Sequence, residues 1–231
     1  MSNKVLMISG ATSSIGSEVV KELSKKNYDL VLMARSKKKL MNLCESVSIN
    51  NSNSILPINM DLYKTKNDDY MNLQTFLENK IKQIDSFISF TSHFDKIEPI
   101  LSISQESFIK TFQINFFSQI QLINVLKNLL EKSQKPSVVF TLESNSLSKK
   151  SYYGSFGLSM QLLSRTIKLL NIENKKINFF GLIPGPIKSN IRKKMFPGED
   201  TENKFQMSNL IELYKEIITE GNYRENSQII F

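Results

Sequence analysis

Short apolar runs alternate along this chain with longer stretches whose apolar residues recur every three or four positions. Val5-Leu6-Met7-Ile8 is unbroken by any polar residue and stops at Ser9-Gly10. A run of that length, closed by a turn signal, predicts a strand buried on both faces. In residues 14–26, Ile15, Val19, Val20 and Leu23 fall at helical spacing and predict the first helix. The same alternation predicts further strands over 30–33, 55–58, 86–90, 138–142, 177–182 and 228–231. Helices are predicted over 37–47, 70–82, 106–132, 156–170 and 208–220, the third of these on Phe112, Phe116, Ile120, Ile123 and Leu130. Strand and helix in strict alternation imply an α/β fold, a doubly wound parallel sheet of about seven strands with helices on both faces. The crossovers should be right-handed. No repeat or linker interrupts the pattern, so the 231 residues read as one domain spanning 1–231.

Composition narrows the function classes. The formal charge of +8 raises an acidic partner as a reading. The lysines are scattered, as in Lys25-Lys26-Asn27 and Asn174-Lys175-Lys176, with no aromatic stacking platform among them, so no nucleic-acid partner is expected. A single cysteine, Cys44, excludes an internal disulfide and fits a reducing compartment. It sits in a helical run, where a packed thiol is the expectation. The one histidine, His93, cannot build a His-based metal cluster, and no metal site is expected. The apolar run before Gly10 is too short for a signal core, and none approaches 18 residues. A soluble, cytoplasmic protein with no membrane contact is expected.

Chemistry enters at the first turn. Ser9-Gly10-Ala11-Thr12-Ser13-Ser14-Ile15-Gly16 joins the first strand to the first helix. Such a turn sets backbone N–H groups and a helix N-terminus against a diphosphate. Gly10 permits the tight turn, and Gly16 lets the helix come close to the sheet.

This segment resembles the fingerprint Thr-Gly-x-x-x-Gly-x-Gly of the short-chain dehydrogenase/reductase family, a Rossmann-type fold. Gly10 and Gly16 match its first and last glycines, Ser9 replaces the threonine, and Ser14 stands at the middle glycine. The resemblance implies that Gly10, Thr12, Ser13, Ser14, Ile15 and Gly16 hold the cofactor. It also places Arg35, after Val31-Leu32-Met33-Ala34, where the two nicotinamide cofactors are told apart. A guanidinium suits a ribose 2′-phosphate, so NADP is expected over NAD; a solvated arginine near three lysines is the plainer reading. Asp61-Leu62 resembles the family's adenine contact, although an N-capping aspartate looks the same in one sequence. Asn115 matches the catalytic-site asparagine, and Pro184-Gly185-Pro186-Ile187 the segment beside the nicotinamide. Phe196-Pro197-Gly198-Glu199-Asp200 is similar to a bacterial branch of the family.

The resemblance also implies a Tyr-x-x-x-Lys helix, with a serine thirteen residues upstream of the tyrosine. Ungapped alignment on the fifth strand puts Phe156 at the tyrosine, Met160 at the lysine and Glu143, beside Ser144, at the serine; Ser159 fits the register. Shifting to Tyr153 brings Gly157 to the lysine position, and shifting to Tyr152 brings Phe156 there. Ser89-Phe90-Thr91-Ser92 replaces the family's Asn-Asn-Ala-Gly, setting a ring where a small polar turn is expected. Losing a general acid costs about 10²–10⁴ in rate.

Three readings stay open. One is an NADP(H)-dependent oxidoreductase on a small carbonyl or alcohol, impaired, with Glu143, Ser144, Tyr152 or Tyr153 as substitutes. A second is a non-catalytic descendant, a pseudoenzyme, that binds a nucleotide or a partner subunit. A methyltransferase is the third and weakest, because Arg35 stands where an acidic ribose ligand is expected. Family resemblance implies a homodimer or tetramer through the two long helices.

Overall fold

The computed structural model describes residues 3–48, 53–147, 151–199, 207–220 and 229–230. Six strands form one parallel sheet: β1 (Lys4–Ser9), β2 (Tyr28–Ala34), β3 (Ile55–Asn59), β4 (Ser86–Ser89), β5 (Ser137–Thr141) and β6 (Asn178–Leu182). A two-residue strand, β7 (Ile229–Ile230), completes the order β3-β2-β1-β4-β5-β6-β7. Its pairing with β6 is antiparallel, which corrects an all-parallel expectation at that edge. One antiparallel edge strand is a common ending for a parallel sheet. The rest of the run expected at 228–231 lies outside the described residues.

The two-residue period of each strand divides the core. From β1, Met7 joins Val31, Phe87, Val138 and Phe179 on one face, while Leu6 and Ile8 join Leu30, Leu32, Ile88, Val139 and Phe180 on the other. The first face is covered by α3 (Asn67–Lys80), α5 (Ser118–Leu130) and α7 (Gly154–Glu173), through Leu77, Leu126, Leu129 and Leu163. The second is covered by α1 (Ser14–Ser24), α2 (Lys37–Ser48) and α9 (Met207–Glu220), through Val19, Leu40 and Tyr214. Because the strand order turns back between β1 and β4, their C-terminal ends open a crevice, where ligands bind in such sheets. None of the described helices is long and apolar enough to cross a membrane.

The helix expected over 106–132 is broken. It runs as α4 (Gln105–Phe112), a single π turn over Gln113–Phe117, and then α5. Two side chains one turn on stabilise the break: Ser118 Oγ donates to Gln113 O at 2.6 Å, and Gln119 Nε2 to Ile114 O at 3.0 Å. Periodicity could not show this, because Phe112, Phe116, Phe117 and Ile120 are apolar on either phase. Turns of this kind recur at functional sites. Two short helices also went unpredicted, α6 (Ser144–Leu147) and α8 (Asn190–Met195).

At the opposite end of the sheet Asp85 ties four segments together. Its Oδ2 accepts from Val5 N at 2.8 Å, and its Oδ1 from Ser133 Oγ at 2.6 Å and Gln83 Nε2 at 3.0 Å. Its carbonyl accepts from Ser137 N at 3.1 Å. Asp85→Ala would orphan a half-buried backbone donor and two side-chain donors at once. We expect a loss of about 2–4 kcal/mol, read as a lower urea midpoint with an unchanged slope.

Candidate functional site

A cavity of about 440 Å³ occupies the crevice. Its floor is the turn after β1. Gly10 has φ +66°, and a Cβ there would stand 2.6 Å from the carbonyl carbon of Phe90. The conformation and the approach of β4 therefore both require glycine. Gly16 is just as confined, since a Cβ would meet Gly10 O at 2.5 Å. Gly16 lies behind the turn and does not line the cavity, whereas Gly10, Thr12, Ser13, Ser14 and Ile15 do. Ser13 caps α1, its Oγ accepting from Gly16 N at 3.0 Å. The next two N–H groups toward the cap, of Ser14 and Ile15, have no intrahelical acceptor and donate to no described protein group. Ser14 is not idle: its Oγ accepts from Asn190 N at 3.2 Å and ties the turn to the start of α8.

Along one wall stand Arg35, Ser36 and Lys39. No carboxylate among the described residues pairs with Arg35. Ser36 Oγ accepts from Lys39 N at 3.4 Å at the entry to α2. Asp61 and Leu62 are beside them. Asp61 organises its own turn, with Oδ1 accepting from Tyr63 N at 3.2 Å and its carbonyl from Lys64 N and Thr65 N. Asp61 thus closes a turn and does not cap a helix, because α3 starts at Asn67 with Lys66 as its N-cap; it also faces the cavity. Leu62 is buried, and its carbonyl accepts from Ser118 Oγ at 3.1 Å.

The end of β4 supplies Phe90, Thr91, Ser92, His93 and Phe94. The Phe90 ring packs edge-on to Tyr214 in the α9 layer, centroids 5.0 Å apart, so the bulk expected to crowd the crevice is largely taken up by the core. Tyr214 is fully buried; its hydroxyl pairs with Thr141 Oγ1 at 2.6 Å, and burial pushes its pKa up. Beneath the turn runs a buried hydroxyl chain. Thr91 Oγ1 donates to Ser9 Oγ (3.2 Å), Ser9 to Ser89 Oγ (3.0 Å), and Ser89 to Gln119 Oε1 (2.6 Å).

Asn115, in the π turn, does not line the cavity; it is fully buried. Its Oδ1 accepts from His93 N at 2.7 Å, and its Nδ2 donates to His93 O at 2.9 Å and Ser159 Oγ at 3.1 Å. Asn115 therefore holds the loop after β4 rather than facing the crevice.

The inner end of the cavity is apolar. Phe156 and Met160 line it with Ile114, Leu142 and Met195, and the Phe156 ring meets Phe94 edge-on at 5.3 Å. Glu143 lines the cavity and caps α6, its Oε2 accepting from Ser146 N at 2.7 Å and Ser146 Oγ at 3.0 Å. Ser144 opens α6, but its side chain lies outside what the structure describes. Tyr153 and Tyr152 do not line this cavity; they line a second one, with Pro99, Gly157 and Gln161, Tyr153 buried at the N-cap of α7 and Tyr152 exposed just before it. As proton donors in the crevice they are displaced.

Over the top, Pro184, Gly185 and Ile187 line the cavity together with Ser189 to Arg192, Lys194 and Met195. Gly185 has φ +72°, and its carbonyl accepts from Ile187 N at 2.9 Å. Arg192 is held by Glu199 through Nε–Oε2 (2.5 Å) and Nη2–Oε1 (2.7 Å), with its guanidinium 4.9 Å from the Phe196 ring centre. Within the Phe196–Asp200 segment noted in the sequence, Phe196 and Glu199 thus brace α8, and Asp200 lies outside the described residues.

Two features escaped the sequence reading. His93 was weighed only as a metal ligand, and no local pattern says that a loop residue after a strand will face a crevice. The Ser9–Ser89–Gln119 chain joins residues 80 and 30 apart, a contact that only the strand order creates.

Comparison with known proteins agrees with this architecture. A family model described as short chain dehydrogenase matches residues 4–200. The oxidoreductase YciK of Escherichia coli K12 is 18% identical over 226 residues, covering 97% of this chain and 90% of its own. Among solved structures, a short chain dehydrogenase from Shigella flexneri complexed with NADP superposes with a TM-score of 0.89 at 19% identity, covering 94% of this chain and 92% of that one. Another, from Escherichia coli CFT073 complexed with NADPH, also gives a TM-score of 0.89 at 19% identity, over 94% and 91% of the two chains. With its glycine turn, its strand order and a family model matched over most of its length, the chain belongs to the short chain dehydrogenase family.

Proposed function

We propose that this protein binds NADP(H) in the crevice and acts as an oxidoreductase on a small carbonyl or alcohol, with proton transfer weakened at the family's usual position. The observation that carries it is one cavity presenting two unpaired helix N–H groups, of Ser14 and Ile15, and an unpaired guanidinium, of Arg35. The residues fit the cofactor. A Cβ would fill the cradle at Gly10, the free N–H groups suit a diphosphate, and Arg35 with Ser36 and the start of α2 suits a 2′-phosphate. The Shigella and E. coli relatives hold NADP and NADPH, which supports the same assignment here. When bound, the cofactor supplies or accepts the hydride. Asp61 and Leu62 would flank the adenine, and Pro184, Gly185 and Ile187 the nicotinamide end.

The chain's own residues set the rate. Phe156 cannot donate a proton, and the Met160 thioether carries no charge to poise one. Glu143, which faces the cavity, has one oxygen engaged in capping α6. A non-catalytic role as a nucleotide-binding subunit is the second reading, favoured by the apolar inner wall of Phe156, Met160, Leu142 and Ile114. A homodimer or tetramer through α5 and α7 accords with the exposed Phe117, Leu158, Leu162, Leu169 and Ile172. We place the protein in the cytoplasm, consistent with its lone buried thiol.

In calorimetry NADPH should bind at least about tenfold more tightly than NADH, and Arg35→Glu should erase that preference. Equal affinities in the unaltered protein would remove Arg35 from the site. Gly10→Ala should lower the melting temperature and abolish binding, since its Cβ has no room; retained binding would contradict the cradle. In a carbonyl reduction assay, Phe156→Tyr with Met160→Lys should raise the rate at unchanged NADPH affinity, by adding a proton donor at the family's usual position. No gain would show that the family's register does not hold here.

A further inference from the structure

We propose that His93 is the side chain that exchanges the proton with substrate oxygen in this cavity, the role Phe156 cannot fill. The inference rests on the cofactor reading above. His93 is the only histidine in the chain and lines the same cavity as Gly10 and Arg35. Its imidazole is half-buried, and neither ring nitrogen bonds to a described protein group. The backbone beneath it is fixed from both sides by Asn115. Its neighbour Phe94 meets the ring of Phe156, so the His93 loop is docked against the residue at the family's tyrosine position. A titratable ring on a fixed backbone, open to a cavity, is what general acid–base catalysis needs.

The charges around it give the site a control. His93 interacts with Lys110 of α4, Asp95 of its own loop, Lys194 of α8 and Arg35 after β2. Burial first, and then Lys110, hold the imidazole below its ordinary value of 6.5, with Asp95 opposing. An anionic ligand that neutralises Arg35 and Lys194 removes part of that depression, so cofactor binding and protonation of His93 favour each other. In the reducing direction the C=O π pair moves onto oxygen as the carbon receives a hydride from reduced nicotinamide. That oxygen takes the imidazolium proton: the O–H bond forms, the N–H bond breaks, and water reprotonates the neutral ring. One hydride and one proton are consumed per carbonyl, and the nicotinamide is left oxidised.

A lone histidine gives a single imidazole Cε1–H resonance, so the untagged protein can be titrated by proton NMR with and without saturating NADP⁺. We expect a midpoint below 6.5 in the free protein that moves upward with NADP⁺ bound. By calorimetry, the ratio of NADP⁺ affinity at pH 5.5 to that at pH 8 should exceed the ratio in His93→Gln several-fold. A midpoint that stays put while calorimetry shows NADP⁺ bound would overturn the inference and leave the cofactor reading intact, as would an unchanged ratio in His93→Gln. Absence of binding heat would overturn both.

Discussion

The carboxamide of Asn115 sets the geometry on which the crevice depends. It completes both backbone hydrogen bonds of His93 and reaches Ser159 of α7, all without access to water. The Asn115 backbone there is turned off the regular α-helical path. The π turn over Gln113–Phe117 provides that, with Ser118 and Gln119 satisfying the carbonyls it frees. A buried polar cluster is stabilising only when every member is paired. Here it is, and the result is a fixed edge for the loop from Phe90 to Phe94.

From that edge the other parts take their positions. Gly10 brings the phosphate-type turn within contact distance of Phe90 and Thr91, and the Ser9–Ser89–Gln119 chain joins the same strands below. The Ser14–Asn190 bond then carries the constraint across the cavity to α8, which Arg192 and Glu199 brace from the far side. A serine at the family's middle glycine is thus accommodated by giving its hydroxyl a structural partner. The turn keeps two N–H groups free.

Sequence patterning was enough for the sheet, because six apolar runs and the helices between them admit few other packings. The glycine turn and Arg35 were legible for the same reason: each sits at the C-terminal end of a strand, where the fold must open a crevice. The break in the helix over 106–132 was hidden by apolar residues on both phases. Tyr153 looked as near to the chemistry as Phe156 in sequence, yet it stands at the N-cap, one turn earlier along α7, and lines a different cavity. His93 gave no local signal at all, since its place depends on Asn115, 22 residues on.

The family frame and the inner wall therefore pull apart. The frame retains the glycine turn, the strand order and a cavity-facing Arg35, while Phe156 and Met160 make its inner end apolar. A crystal structure grown with NADP⁺ tests that account most directly. It should show the diphosphate on the N–H groups of Ser14 and Ile15, the 2′-phosphate on Arg35, and the nicotinamide between Ile187 and the Phe156–Met160 wall. A crevice without the dinucleotide at millimolar NADP⁺, or a dinucleotide lying elsewhere on the protein, would contradict it.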